Sequence, residues 1–434
     1  MTKVSQTNSM GWVSALSTRA SLEACVTEVV EQAQAKLGVP PDLGFVFIST
    51  AFASEFSRLL PLLEERLPGV LLVGCSGSGV VGMEQLGQAS EIEEDEPAIS
   101  LTLAALPGVQ IQPFFIETDE LPDMDSSPDA WFEAVGVSPE VNPHFVLLAD
   151  PFAGRINDLL QGLDYAYPKA VKVGGLASGG ASGNSVGLFC NGELERDGVV
   201  GVALSGNIVL ESIVAQGCRP IGQPYRVVES ERNIVILVQE QVATEAGGLS
   251  GEPRERPLSR GEAKQRTPLE VLQDLIQDLN DQDRELAQQN YLFVGVAQNE
   301  FKTQLEQGDF LIRNLLGVDP RVGAIAIGDR IRPGQRIQFH LRDARTSAED
   351  LEMLLKRYQQ ESPAHLHPIG ALMFTCVGRG EGLYNEPDFD SSLFCRYLPG
   401  VQLGGFFCNG EIGPVGNNTF LHGYTSVFGI FRQP

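Results

Sequence analysis

The sequence predicts an α/β protein built as two related halves, with mixed sheets and βαβ-type units. Three observations point there. First, a strand, a connector and a second strand ending in glycines occur three times. LGFVFIST from Leu43 leads to LPGVLLVGCSGSG from Leu67, HFVLLAD from His144 to YPKAVKVGGLASGG from Tyr167, and IGALMFTC from Ile369 to YLPGVQLGGFFCNGE from Tyr397. Second, the string Phe189-Cys190-Asn191-Gly192-Glu193 recurs as Phe407-Cys408-Asn409-Gly410-Glu411, which suggests two related halves, roughly 1–240 and 265–434. Third, helical connectors between strands imply parallel pairing, and the Gly-rich turns imply hairpins, so the sheets are mixed.

The elements follow in order. From Leu22, apolar residues recur at Cys25, Val26, Val29, Val30, Ala33 and Leu37, the packed face of a helix. Thr267, Pro268 and Glu270 spell a capping box for a second helix, with Leu269, Leu272, Leu275, Ile276 and Leu279 on its apolar side. A third helix is expected after Ser347, carrying Leu351, Leu354, Leu355 and Tyr358. Between Ala243 and Arg266 the apolar pattern gives way to Gly, Pro and charge, which predicts a mobile loop at a domain boundary. The expected organisation is an N-terminal domain over 1–240, a linker over 241–266 and a C-terminal domain over 267–434.

Composition narrows the function. The 434 residues carry a formal net charge of −25, with a pI near 4.6. Such a surface repels phosphate backbones and anionic lipid headgroups, so neither nucleic acid nor membrane is expected as a partner. No stretch has the about 20 unbroken apolar residues of a membrane span, and the N-terminus lacks the apolar core of a signal peptide. Seven scattered cysteines without a CxxC pair fit free thiols in a reducing cytoplasm.

Familiar catalytic motifs fail one by one. Gly77-Ser78-Gly79-Val80-Val81-Gly82 matches GxGxxG, but no apolar helical stripe follows to receive a pyrophosphate. There is no P-loop and no GxSxG elbow. His365 and His367 could share a strand face, yet Pro368 follows at once and no third ligand is apparent. No metal, cofactor or catalytic set is therefore expected.

The Gly-rich strand ends are the better lead. Gly74, Cys75 and Ser76, and Gly174, Gly175 and Ser178, combine hydroxyls with backbone N–H groups able to form an anion-binding nest. The alternative is that these glycines serve close strand packing alone. Cys376-Val377-Gly378-Arg379-Gly380 ends an apolar strand. There Arg379, flanked by Gly380, could anchor a carboxylate bidentately and favour the Cys376 thiolate. Asn409 and Gly410 fit hairpin chemistry, which leaves Glu411 unexplained. Arg219 is a second candidate cation, and Tyr424 and Thr425 lie on the final strand.

These strings together resemble the FIST family. The N-terminal likeness runs through VGCSGSGVVG, EIEEDEPAISLTLAALPGV, VGGLASGG and QGCRPIG. The C-terminal likeness runs through FLIRNLLGVDPRVGAIAIGDRIRPGQRIQFHLRDA, ALMFTCVGRG, GFFCNGEIGP and LHGYTS. The resemblance implies a two-domain sensory module for a small molecule such as an amino acid, without established catalysis. It also implies a separate signalling protein as partner, because no output segment is read in the chain. In that reading Arg379, or Arg219, takes the ligand's carboxylate and Glu411 its amine, with Cys376, Tyr424 and Thr425 as walls. Two alternatives are a protein-interaction scaffold and an enzyme using Cys376 with His422.

Overall fold

The computed structural model describes residues 10–84, 87–93, 96–179, 186–240, 264–289, 291–299, 302, 304–305, 308–361 and 367–434. The expected mobile loop at 243–266 lies largely outside the described residues, as does His365. By contacts the chain forms two compact units, 1–216 with 348–434, and 217–347. The boundaries expected at 240 and 267 both fall inside the second.

The first unit is one pattern used three times. Copy one runs β1 (Gly11–Ser17), α1 (Leu22–Leu37), β2 (Leu43–Ser49), α2 (Phe56–Arg66), β3 (Leu71–Gly77), the hairpin β4 (Val80–Met83) and β5 (Ala89–Ile92), then β6 (Ile99–Ala105). Copy two runs β7 (Val109–Ile116), α3 (Pro128–Val135), β8 (His144–Ala149), α4 (Ile156–Ala166), β9 (Lys172–Leu176), the hairpin β10 (Leu188–Cys190) and β11 (Glu193–Glu195), then β12 (Val199–Gly206).

Copy three opens with β13 (Val209–Ala215) and is interrupted by the second unit. That unit holds β14 (Cys218–Glu231), β15 (Ile234–Glu240), β16 (Gln265–Arg266), α5 (Pro268–Asp278), α6 (Asp281–Gln288), β17 (Leu292–Ala297), β18 (Phe310–Asp319), β19 (Ala324–Ile327) and β20 (Arg336–Arg342). Copy three then resumes with α7 (Ala344–Glu361), β21 (Pro368–Cys376), α8 (Glu381–Tyr384), α9 (Phe389–Tyr397), β22 (Leu403–Cys408), the hairpin β23 (Glu411–Val415) and β24 (Asn418–His422), and β25 (Ser426–Arg432).

Each copy builds a six-stranded sheet, and each completes it with a neighbour's hairpin. The orders are β1-β6-β2-β3-β10-β11, β7-β12-β8-β9-β23-β24 and β13-β25-β21-β22-β4-β5. Copy one thus gives its hairpin to copy three, copy three to copy two, and copy two to copy one. The parallel pairs are the expected ones, β2 with β3, β8 with β9 and β21 with β22.

The recurring glycine has a steric cause. Gly74, Gly174 and Gly405 sit opposite Val46, Leu147 and Met373 on the parallel neighbour. A Cβ at any of the three would fall inside the van der Waals radius of that neighbour's carbonyl oxygen.

Burial follows the same threefold plan. The inner faces share one core, including Trp12, Phe45 and Phe47 from copy one, Val146 and Val200 from copy two, and Phe374, Phe406 and Phe431 from copy three. The outer faces carry helices: α1 and α2, then α3 and α4, then α7 and α9. Each exchanged hairpin adds side chains to its host's outer layer, through Phe189, Ile412, and Val81 with Met83.

Local signals hold at α1, where Ser21 caps the N-terminus and Gly38 (φ 68°) ends it. The Thr267–Glu270 capping box at α5 is formed in both directions. The helix expected after Ser347 starts at Ala344.

The mixed α/β class stands, but the relation between parts is by thirds, and the repeated FCNGE string misled. Its first occurrence is the tight turn of β10–β11, with Asn191 at φ 50° and Gly192 at φ 89°. Its second links β22 to β23, which belong to different sheets. Asn191 and Asn409 are therefore not equivalent positions. An aromatic, a small residue and Asn-Gly suit any strand end that must turn.

In the second unit, β14-β20-β17-β18-β19-β15 close on themselves through β14–β15, and every pairing is antiparallel. The result is a barrel, with β16 added at β15. Its core includes Tyr225, Val235, Val294, Ile325, Phe339 and Leu341, with Val271 and Leu272 of α5 packed against it.

Candidate functional site

Four residues beyond the shared glycine, the copies carry Ser78, Ser178 and Asn409, and these strand ends meet. The Ser78 amide donates to Ser178 Oγ at 2.8 Å, and the two hydroxyl oxygens lie 3.3 Å apart. The Ser178 hydroxyl donates to the Phe407 carbonyl. Backbone bonds bind the same junction: Phe407 N–H to Gly79 at 3.0 Å, Leu176 N–H to Gly410 at 2.8 Å and Asn409 N–H to Leu176 at 3.0 Å. Ser78 and Ser178 are buried, whereas Asn409 is exposed. Carboxyl ends of parallel strands are where open α/β sheets place ligands.

Beside this junction lies a second layer. Glu411 is fully buried, and its Oε2 accepts the Thr425 amide at 3.0 Å. The Thr425 carbonyl accepts from Cys376 N–H at 3.0 Å, and Gly378 N–H donates to Cys376 Sγ at 3.4 Å. His422 Nε2 lies 3.0 Å from the Gly413 carbonyl, an acceptor-only group. Cys376, Glu411 and Thr425 thus lie in one hydrogen-bonded layer, with Tyr424 next to Thr425.

Arg379 also lies here, but its fork is already filled. The guanidinium is buried; Nε meets Asp390 Oδ2 at 2.6 Å and Nη2 meets Oδ1 at 2.9 Å. Nη2 also donates to the Tyr384 hydroxyl at 2.5 Å, and Nη1 to the Tyr424 carbonyl at 3.4 Å. Burial pulls the Arg379 pKa down, and Asp390 and Tyr384 more than offset this, so it ends above its ordinary value. The residue welds α9 to the end of β21.

The exchanged hairpin joins the same network. Glu91 on β5 donates its amide to Asp388 Oδ1 at 2.6 Å and accepts the Ser391 amide at 2.7 Å. Burial, reinforced by the charge of Asp390, pushes the Glu91 carboxyl up to about 8.

The remaining expected residues have packing roles. Gly74 and Gly174 are the close-approach glycines, and Gly175 faces Cys408 Sγ. Ser76 Oγ accepts Gly187 N–H at 3.1 Å. Burial pushes the Cys75 and Cys408 thiols well above their ordinary range. Gly380 (φ 64°) begins α8. Arg219 belongs to the barrel unit and is paired with Asp283. Asp390, Tyr384 and Glu91 escaped the sequence reading. The available signal for Asp390 was an acid on a helix whose Leu393 and Phe394 enter the core.

Two family models match the chain: FIST N domain over residues 42–239 and FIST C domain over residues 268–414. The chain belongs to the FIST family. FIST domains are sensory signal-transduction modules. An uncharacterized protein of Mycobacterium tuberculosis is 32% identical over 418 residues, covering 96% of this chain and 98% of that one. Another, from Mycobacterium bovis, is 31% identical over 406 residues, covering 93% and 94%. An F-box/LRR-repeat protein of Arabidopsis thaliana is 29% identical over 192 residues, 38% of this chain and 35% of that one. The barrel of this FIST protein draws β14 and β15 from the first match and β17 to β20 from the second. No helix among the described residues is long and apolar enough to cross a membrane.

Proposed function

We propose that this FIST protein senses a small metabolite, an amino acid or a related compound, where the three strand ends meet, and relays its state to a separate signalling protein. The observation that supports this is the junction of Ser78, Ser178 and Asn409, register-equivalent residues drawn from all three copies. A ligand there bears on all three sheets at once, which suits a sensor.

The ligand is held by hydroxyls, backbone groups and the exposed Asn409 carboxamide rather than by Arg379, whose fork Asp390 occupies. Glu411 acts from behind, fixing Thr425. A thermal-shift screen of amino acids and related metabolites, followed by calorimetry, tests this reading. Asn409→Ala should weaken a hit about tenfold, the value of one good hydrogen bond, with the melting temperature unchanged. A broad screen without a hit, or a hit bound equally by Asn409→Ala, would remove it.

A further inference from the structure

The barrel buries a cation that no acid among the described residues pairs with. Along β20, Ile337, Phe339 and Leu341 enter the barrel core, so Arg336, Gln338, His340 and Arg342 face the other way. Arg336 is only 5% exposed. Its Nη2 donates to the Asn299 carbonyl at 2.5 Å, while its Nε has no partner. No carboxylate among the described residues pairs with it.

Directly opposite, across the antiparallel β14–β20 ladder, stands a second arginine. Arg226 is the register partner of Arg336. Its neighbours Tyr225 and Val227 enter the barrel core, so Arg226 and Arg336 share the outer face. Arg226 is exposed and donates from Nε to the Gly334 carbonyl at 3.2 Å. It too lacks a carboxylate among the described residues.

The turn between β19 and β20 holds the pair in place. Gln335 N–H bonds the Arg332 carbonyl at 3.2 Å, and Gly334 N–H bonds Val227 at 2.8 Å. With Pro333 second and Gly334 third at φ 98°, this is a type II turn.

Like charges opposite each other on a ladder repel. A buried charge is ordinarily paired, because its lost hydration must be replaced. The chain has 56 acidic residues against 31 basic ones, so the lack of a paired acid among the described residues here is local. Arg219 and Arg313 in the same unit each have an aspartate. Two guanidinium forks on one face, one buried and one exposed, are suited to a planar or tetrahedral oxyanion.

We propose that Arg336 and Arg226 form an oxyanion-binding site on the barrel, taking the carboxylate or phosphate group of a small ligand. It uses none of the residues in the reading above and stands whether or not that reading holds. The test is calorimetry and thermal shift on the full chain with inorganic phosphate and, separately, acetate. Both are run against sodium chloride at equal ionic strength. Saturable stabilisation by at least one anion is expected, and the stronger response tells which group the site prefers. Arg336→Met should abolish the response, Arg336→Lys should weaken it tenfold or more by losing the fork, and Arg226→Met should weaken it several-fold. Should Arg336→Met fail to fold, the exposed Arg226 decides the matter. No saturable response to either anion, or equal responses in wild type and Arg226→Met, overturns the proposal.

Discussion

The three-copy unit and the barrel bury arginines in opposite ways. Arg379 reaches Asp390 with both arms of its fork, stacks near Tyr384 and belongs to a closed network. Arg336 is almost as buried, faces another arginine and meets one carbonyl. A buried cation with its acid beside it is part of the fold, whereas Arg336, with no acid among the described residues, fits the anion site proposed above. Sequence context points the wrong way, since glycines flank Arg379 and make it look like a ligand anchor.

The sharpest way to break this comparison is to make the same change twice. Arg379→Met strands Asp390 in the core and should cost about 3–5 kcal/mol. Arg336→Met removes an unanswered charge and should be neutral or stabilising in the absence of anion. Chemical denaturation of both variants reads the difference, and equal losses would erase it.

A smaller contrast concerns glycine. Gly174→Ala drives a methyl into the Leu147 carbonyl and should cost about 1–3 kcal/mol or more, by overpacking. A methyl on Gly317, in the barrel, would meet no atom within 4 Å. Gly317→Ala should therefore stay within about 0.5 kcal/mol. Denaturant midpoints of the two variants decide this.

pH separates two side chains more gently. Glu91 in the three-copy unit is raised from 4.5 to about 8, so the folded state holds its proton more tightly. Its contribution is complete below pH 4.5 and is lost as pH rises through 8. His340 in the barrel is lowered from 6.5 to about 4 by burial. Its contribution is complete above pH 6.5 and is lost as pH falls through 4. Glu91→Gln should flatten the fall of melting temperature as pH rises from 4.5 to about 8, and His340→Gln the fall as pH drops from 6.5 to about 4. His144 shares the sign of His340, so the readout is the variant and not the unit. Unchanged slopes would refute both assignments.

The least effect is expected among the thiols. Cys395 is half-buried, while the other six are buried. Limiting alkylation should mark Cys395 first and leave Cys75 and Cys408 untouched, as mass spectrometry of peptides would report. Early labelling of Cys75 would contradict the packing of the inner core.

Much of the architecture was readable because its causes are local. The apolar stripe from Leu22 to Leu37, the Thr267 capping box and the three glycine-ended strands each reflect forces acting within a few residues. The triplication is visible in those strands, while the five-residue identity at Phe189 and Phe407 suggests a pairing of halves instead. The barrel was hidden because it interrupts copy three between β13 and α7. Its strands β14 and β15 lie before the polar stretch at 243–266, whose composition suggests a boundary. At the site, Cys376, Glu411 and Thr425 were anticipated together, while the acid that occupies Arg379 was not. Asp390 is eleven residues away on a helix, and only the fold turns it inward.

The exchange of hairpins also has a consequence in time. Strands β4 and β5 are complete by residue 92, but their host strand β22 does not begin until residue 403. During synthesis, copy one must carry a hairpin without its sheet for more than half the chain. Its own sheet meanwhile stays open until β10 arrives. No copy can finish alone, and no stop point before β25 leaves all three sheets filled. Such a chain should fold late and all together, with an exposed strand edge as its chief hazard on the ribosome. A truncation anywhere before β22 should be felt in every copy, since the second and third sheets then lack strands and the first copy's hairpin lacks its host.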